Sequence, residues 1–166
     1  MKDDLVGILA LGPCYNGRRW LMENAYKSTY NLWRGCQHGD WLLWLAVRLK
    51  LDCKVIALAA CDCAEAALKY VPEHEHRPRV AIETTRNWCV GEATLGQVRN
   101  AAAAADAASA DAYASAADAY ASAAAAAADA ASDRTASLAY SAKLVRKRIP
   151  WEIWKKAIRS KLMEGE

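Results

Sequence analysis

Apolar positions recur along this chain at helical spacing, and Pro, Gly and capping residues cut the pattern into segments. The first piece, 4–11, is short and apolar and ends at Gly12-Pro13, a strong local break. Residues 18–26, RRWLMENAY, read as a helix, and Ser28 is placed to cap a short one through Leu32 and Trp33 that stops near Gly35. Gly39 and Asp40 precede WLLWLAVRL, the first strongly apolar helix, with the Asp40 carboxylate expected as its cap, facing the free amides. Asp52 is expected to cap KVIALAACDCAEAALKYV, which Pro72 stops after Val71. EHEHR is a polar connection. Pro78 suits a first helical position, so RVAIETTRNWCV forms a helix that Gly91 ends.

Thr94 and Gln97 stand at capping-box spacing where an Ala tract begins. Of residues 101–132, 22 are Ala, and DAYASAA occurs twice in succession, at 111–117 and 118–124. Projected at about 100° per residue, Leu95, Val98, Tyr113, Tyr120, Leu138, Val145 and Ile149 share one stripe. Asp111, Ser115, Asp118, Ser122, Asp129 and Asp133 lie nearly opposite. The tract therefore predicts an Ala-rich amphipathic helix over about 94–132 or to 149, its Tyr-and-Ala face inward and its Asp-and-Ser face in water. A straight helix of that full length would reach about 80 Å, so a bend or turn is expected at Ser132-Asp133-Arg134-Thr135. Pro150 then opens a last helix to about 163, in which Trp151, Trp154, Ile158 and Leu162 form an apolar stripe among Lys155, Lys156, Arg159 and Lys161.

The fold expected is all-α: one domain, residues 1–166, a compact multi-helix bundle. Composition adds a constraint on its core. Apolar residues make up 54% of the 166, but 37 are Ala and Phe is absent, so bulk must come from seven Trp, seven Tyr and the aliphatics. No apolar run is long enough to span a membrane, since Asp interrupts even the Ala tract, and MKDDLV lacks a signal-peptide layout. A cytoplasmic protein without a membrane partner is expected. Six cysteines without a secretory signal read as reduced, largely buried thiols. Charge is uneven: residues 101–133 hold five Asp and no base, whereas 134–166 hold nine Lys or Arg against three Glu. A net charge of +3 is too small to make nucleic acid a favoured partner.

Candidate chemistry is sparse. Cys61 and Cys63, two residues apart on a helix, point about 200° from each other, so with His74 and His76 they make a poor zinc set, and no metal is expected. There is no GxGxxG and no GxxxxGK[ST], which removes the usual nucleotide loops. No catalytic residues and no cofactor are expected. His38-Gly39-Asp40-Trp41, with Trp44 one turn on, reads either as a capped core helix using two Trp as bulk or as an exposed helix N-terminus where a partner docks. Arg77, Arg79, Glu83 and Arg86 read either as an ion network along one helix, Arg79 to Glu83 to Arg86, or as an Arg-rich face for a carboxylate or phosphate.

HGDWLLWL at 38–45, CDCAEAAL at 61–68, RPRVAIETTRNWCVGE at 77–92 and the Tyr-punctuated Ala helix resemble, over roughly residues 14–149, the fifth-class immunity proteins of bacterial and phage genomes. That resemblance implies an all-helical, non-enzymatic protein that binds and neutralises a toxin or defence component, in an immunity or anti-defence role. The partner expected is a protein effector, bound through a surface that includes His38, Asp40, Trp41, Trp44, Arg77, Arg79, Glu83 and Arg86. The alternative is sequestration of a small anionic ligand such as a signalling nucleotide, with the arginines on phosphate and a Trp as stacking face. Homo-oligomerisation is open on either reading.

Overall fold

The computed structural model describes the backbone of residues 3–117 and 126–163 and the side chains of 4–109 and 134–161. Among the described residues every regular element is helical, so the all-α expectation holds. The helices are α1 (Asp3–Ala10), α2 (Tyr15–Glu23), α3 (Thr29–Gly35), α4 (Gly39–Arg48), α5 (Cys53–Ala67), α6 (Arg77–Val90), α7 (Leu95–Ala117), α8 (Ala126–Arg148) and α9 (Trp151–Met163), with a 3₁₀ turn at Leu68–Tyr70.

Local chemistry sets most of the boundaries. Ser28 Oγ accepts the Asn31 N–H at 3.2 Å, and Asp52 Oδ1 accepts those of Lys54 and Val55 at 2.8 and 3.1 Å. Thr94 and Gln97 form the reciprocal box: Gln97 N–H donates to Thr94 Oγ1 at 3.2 Å and Thr94 N–H to Gln97 Oε1 at 2.8 Å. Both α4 and α6 end in a left-handed residue. Leu51 N–H returns to Ala46 O at 3.1 Å across Lys50, and Glu92 N–H to Asn87 O at 2.8 Å across Gly91. This is the Schellman arrangement, which satisfies carbonyls the helix leaves open.

Several expectations need correction. Helix α2 begins at Tyr15, three residues before the predicted start, because Cys14 Sγ accepts the Gly17 N–H at 3.4 Å and serves as its cap. Asp40 is not the cap of α4. His38 holds that place without a side-chain cap bond, and Asp40 sits in the first turn, where its charge still faces the helix amides. Pro78 follows Arg77 into the first turn of α6. No turn occurs at 132–135, since α8 runs as helix from Ala126 to Arg148 and Ala on both sides favours continuity. Helix is described over 95–117 and 126–148, not as one Ala-rich rod; residues 118–125 lie outside the described residues, as do the predicted faces of Tyr113, Tyr120, Asp111, Ser115, Asp118, Ser122, Asp129 and Asp133 and the side chain of Leu162. Leu95 is 47% exposed rather than inward, while Val145 and Ile149 are fully buried. Cys36 and Cys61 are buried as expected, but Cys14 and Cys53 are exposed.

The chain divides into two compact units, 1–59 with 138–166, and 60–137. In the first, α1 packs on α9 and on α2. Its core is built from large side chains, with Trp154, Leu5, Ile149 and Val145 as the bulkiest fully buried ones. Burying each such side chain is worth about 1.5–3 kcal/mol against leaving it in water. The Trp154 Nε1–H is satisfied by Ile149 O at 2.9 Å. Polar ties then fix the helices: Thr29 Oγ1 donates to Asp4 Oδ2 at 3.0 Å, Arg48 donates twice to Leu11 O at 3.0 and 2.7 Å, and Arg146 Nη1 donates to Cys36 O at 2.6 Å. The start of α4 lies so close to α8 that a Cβ on Gly39 would stand 2.6 Å from Ser141 Cβ and 2.8 Å from its carbonyl carbon. Only glycine fits there.

The second unit is built differently. Helices α6 and α7 pack along each other across the four-residue link 91–94, and among the described residues the buried apolar positions are Cys61, Ile82 and Ala108. The Cys61 thiol points at Ile82 O, 3.8 Å away. Small side chains such as Ala108 let helices approach closely.

Candidate functional site

The eight sequence-selected residues separate by unit. His38, Asp40, Trp41 and Trp44 lie at the start of α4 in the first; Arg77, Arg79, Glu83 and Arg86 lie on α6 in the second.

At the start of α4 the His38 ring stacks on Trp41, with centroids 3.8 Å apart and planes 9° from parallel. His38 Nδ1 stands 3.5 Å from Asp40 Oδ1, and the Asp40 side chain is 58% exposed. The Trp20 ring lies 6.1 Å from that of Trp41, tilted by 60°, and the Arg48 guanidinium lies 6.0 Å from the Trp44 ring. Behind them is a cavity of about 290 Å³ that sequence reasoning missed. Six of the seven tryptophans line it: Trp20, Trp33, Trp41, Trp44, Trp151 and Trp154. Among the described residues Asp40 is its one charged wall residue. Cys36, also in the wall, has its thiol pushed up by burial and so stays neutral. The available signal was the pairing of seven Trp with no Phe; flat, rigid rings replacing smaller ones tend to leave gaps between them.

On α6 the predicted chain of pairs along the helix does not form. Arg86 reaches across to α5, donating to Glu65 Oε2 at 2.7 Å and Asp62 Oδ1 at 3.2 Å. Two carboxylates one turn apart on a neighbouring helix outcompete one on the same helix, because a guanidinium can fork between them. The same contact holds the Glu65 carboxyl below its ordinary range and raises Arg86. Arg77 is clasped by Glu75, whose Oε1 accepts both its N–H and its Nε–H at 2.9 Å, and whose carboxyl is pulled down to about 2. Arg79 and Glu83 are exposed. The arginines that an anion would need are thus largely committed to carboxylates. No group of three or more His, Cys, Asp or Glu is placed to hold a metal among the described residues, and no described helix is long and apolar enough to cross a membrane.

The family model described as "Imm-5 like putative immunity protein" matches residues 50–160. The chain belongs to this family. No curated protein and no solved structure matches. The extent of the match corrects the sequence-based span: in this Imm-5 like protein it begins after HGDWLLWL, and it continues through the basic α9 as far as 160. The α6 cluster and its partners on α5 fall inside it, whereas the α4 cluster falls outside. The family name points to a non-enzymatic role.

Proposed function

We propose that this protein neutralises a toxin or defence effector by stoichiometric binding, without turnover, in the cytoplasm. Membership of the Imm-5 like family over residues 50–160 carries the reading. The geometry supports a division of labour on α6: Arg77 and Arg86 hold structure through Glu75, Asp62 and Glu65, while exposed Arg79 and Glu83 meet the partner. Exposed Asp40, with half-buried His38, Trp41 and Trp44 beside it, forms a second contact surface at α4.

The test is growth rescue. Proteins encoded beside the gene are expressed singly and together with this chain. One of them is expected to arrest growth alone, to be harmless in the presence of the chain, and to form a one-to-one complex with it on purification. Arg79→Glu should abolish protection while leaving the helical circular dichroism unchanged, because an exposed charge contributes about 0–1 kcal/mol to stability. Relief of toxicity by sub-stoichiometric chain, or rescue without any complex, overturns the proposal.

A further inference from the structure

We infer that the tryptophan-lined cavity of the first unit is a binding site for a small organic cation with an apolar body, of the quaternary-ammonium or alkylated-amine class. The inference does not rest on the immunity reading. Three observations converge on it. The first is size: about 290 Å³ falls at the lower edge of small-ligand pockets, which run to about 300–1,000 Å³. A core seam between helices would close to voids smaller than this. The second is the wall. Trp20, Trp41 and Trp44 are each part-exposed, so the cavity reaches the surface beside them. Ring faces attract a cation through their quadrupole. Deeper in, Trp154 Nε1–H is already taken by Ile149 O, while Trp33 Nε1–H is buried without a hydrogen-bond partner among the described residues. The third is charge. Asp40 supplies a carboxylate at the wall and, among the described residues, no basic side chain lines the cavity. An anion would meet Asp40 at the wall, with His38 and Arg48 both outside the lining.

Cys14 makes the site addressable. Cys14 is an exposed residue that lines the cavity, whereas Cys53 is equally a free, exposed cysteine of the same unit but lies outside the lining. The full chain is alkylated with iodoacetamide under a titration of benzyltrimethylammonium or choline, and modification of each cysteine is followed by mass spectrometry alongside tryptophan fluorescence. The cations should protect Cys14 saturably, leave Cys53 unprotected, and shift the fluorescence with the same midpoint. The neutral carbon isostere of choline should protect about tenfold more weakly, the loss of a cation–π contact and an ionic one together. Asp40→Asn, an isosteric change at an exposed side chain, should weaken the cations about fivefold and leave the isostere unchanged. Equal protection by cation and isostere overturns the proposal, as does no protection at all, or protection by cations that Asp40→Asn leaves untouched. Benzoate protecting Cys14 better than the cations would reverse the charge assignment and overturn it too.

Discussion

The two units solve one problem with opposite materials. The unit of 1–59 and 138–166 fills its interior with Trp154, Ile149, Val145 and Leu5, and it carries a cavity walled by indoles. Among its described residues the unit of 60–137 buries Cys61, Ile82 and Ala108, and it holds α6 to α5 with the Arg86 fork. Large side chains bring much hydrophobic free energy per residue but pack only where their shapes agree. Small ones bring little each, so helix-end chemistry and ion pairs weigh relatively more. A change of one residue should therefore cost most in the first unit and act mainly through caps and charges in the second.

The strongest test of that contrast is Trp154→Ala. Its side chain is fully buried and hydrogen-bonded to Ile149 O, so its loss should cost about 3–5 kcal/mol, read from the denaturation midpoint. A cost under about 1 kcal/mol would mean that the indole fills space already loose, and the contrast would fail. Gly39→Ala comes next. The added Cβ would meet Ser141 and the Ala142 nitrogen of α8 at under 3 Å, mostly backbone that cannot rotate away, and overpacking of that kind costs about 1–3 kcal/mol. Unchanged stability would show that α4 and α8 can part without penalty.

The sequence carried these two units unequally. Capping chemistry was legible because it is local: Ser28, Asp52 and the Thr94–Gln97 pair each act within three residues, and all three caps form. Gly39 looked like punctuation before an Asp cap, since nothing nearby in sequence says that Ser141 will lie against it. The Arg86 fork escaped for the same reason. Its partners stand 24 and 21 residues away on α5, whereas Glu83 was in view three residues off. Six tryptophans spread from 20 to 154 gave no periodic signal that they share one cavity. What the spacing of apolar residues encodes is which face of a helix turns inward. Which partner it meets there is a property of the whole chain.

A smaller effect separates the ends of α4 and α6, which use one motif with different residues. Gly91 holds φ +88° at no steric cost, while Lys50 holds φ +54°, where a side chain crowds its own carbonyl. Lys50→Gly should stabilise the protein by about 1 kcal/mol and Gly91→Ala should destabilise it by about as much. Both values come from the same denaturation curves. Shifts of the same sign would mean that side-chain contacts of Lys50, rather than the backbone, decide the outcome.

The smallest expected effect is electrostatic and belongs to the second unit. Arg77 holds the Glu75 carboxyl down to about 2, chiefly through the side-chain hydrogen bonds and then through the backbone N–H that the same oxygen accepts. A carboxyl that binds its proton less readily when folded stabilises the fold at pH values above the ordinary glutamate range. That contribution fades as pH falls from there toward 2. Between pH 5 and 8 the pair should therefore leave stability flat, and a side-chain NMR titration should find Glu75 still ionised at pH 3. Arg77→Gln should return the carboxyl toward its ordinary range and free the first turn of α6 to fray, with no change in the midpoint of the first unit's tryptophan fluorescence. Glu75 titrating in the ordinary range in the wild-type chain would show that the clasp is not held in solution. In that case α6 would owe its start to Pro78, whose ring presets the backbone angle of the first turn without needing any charge.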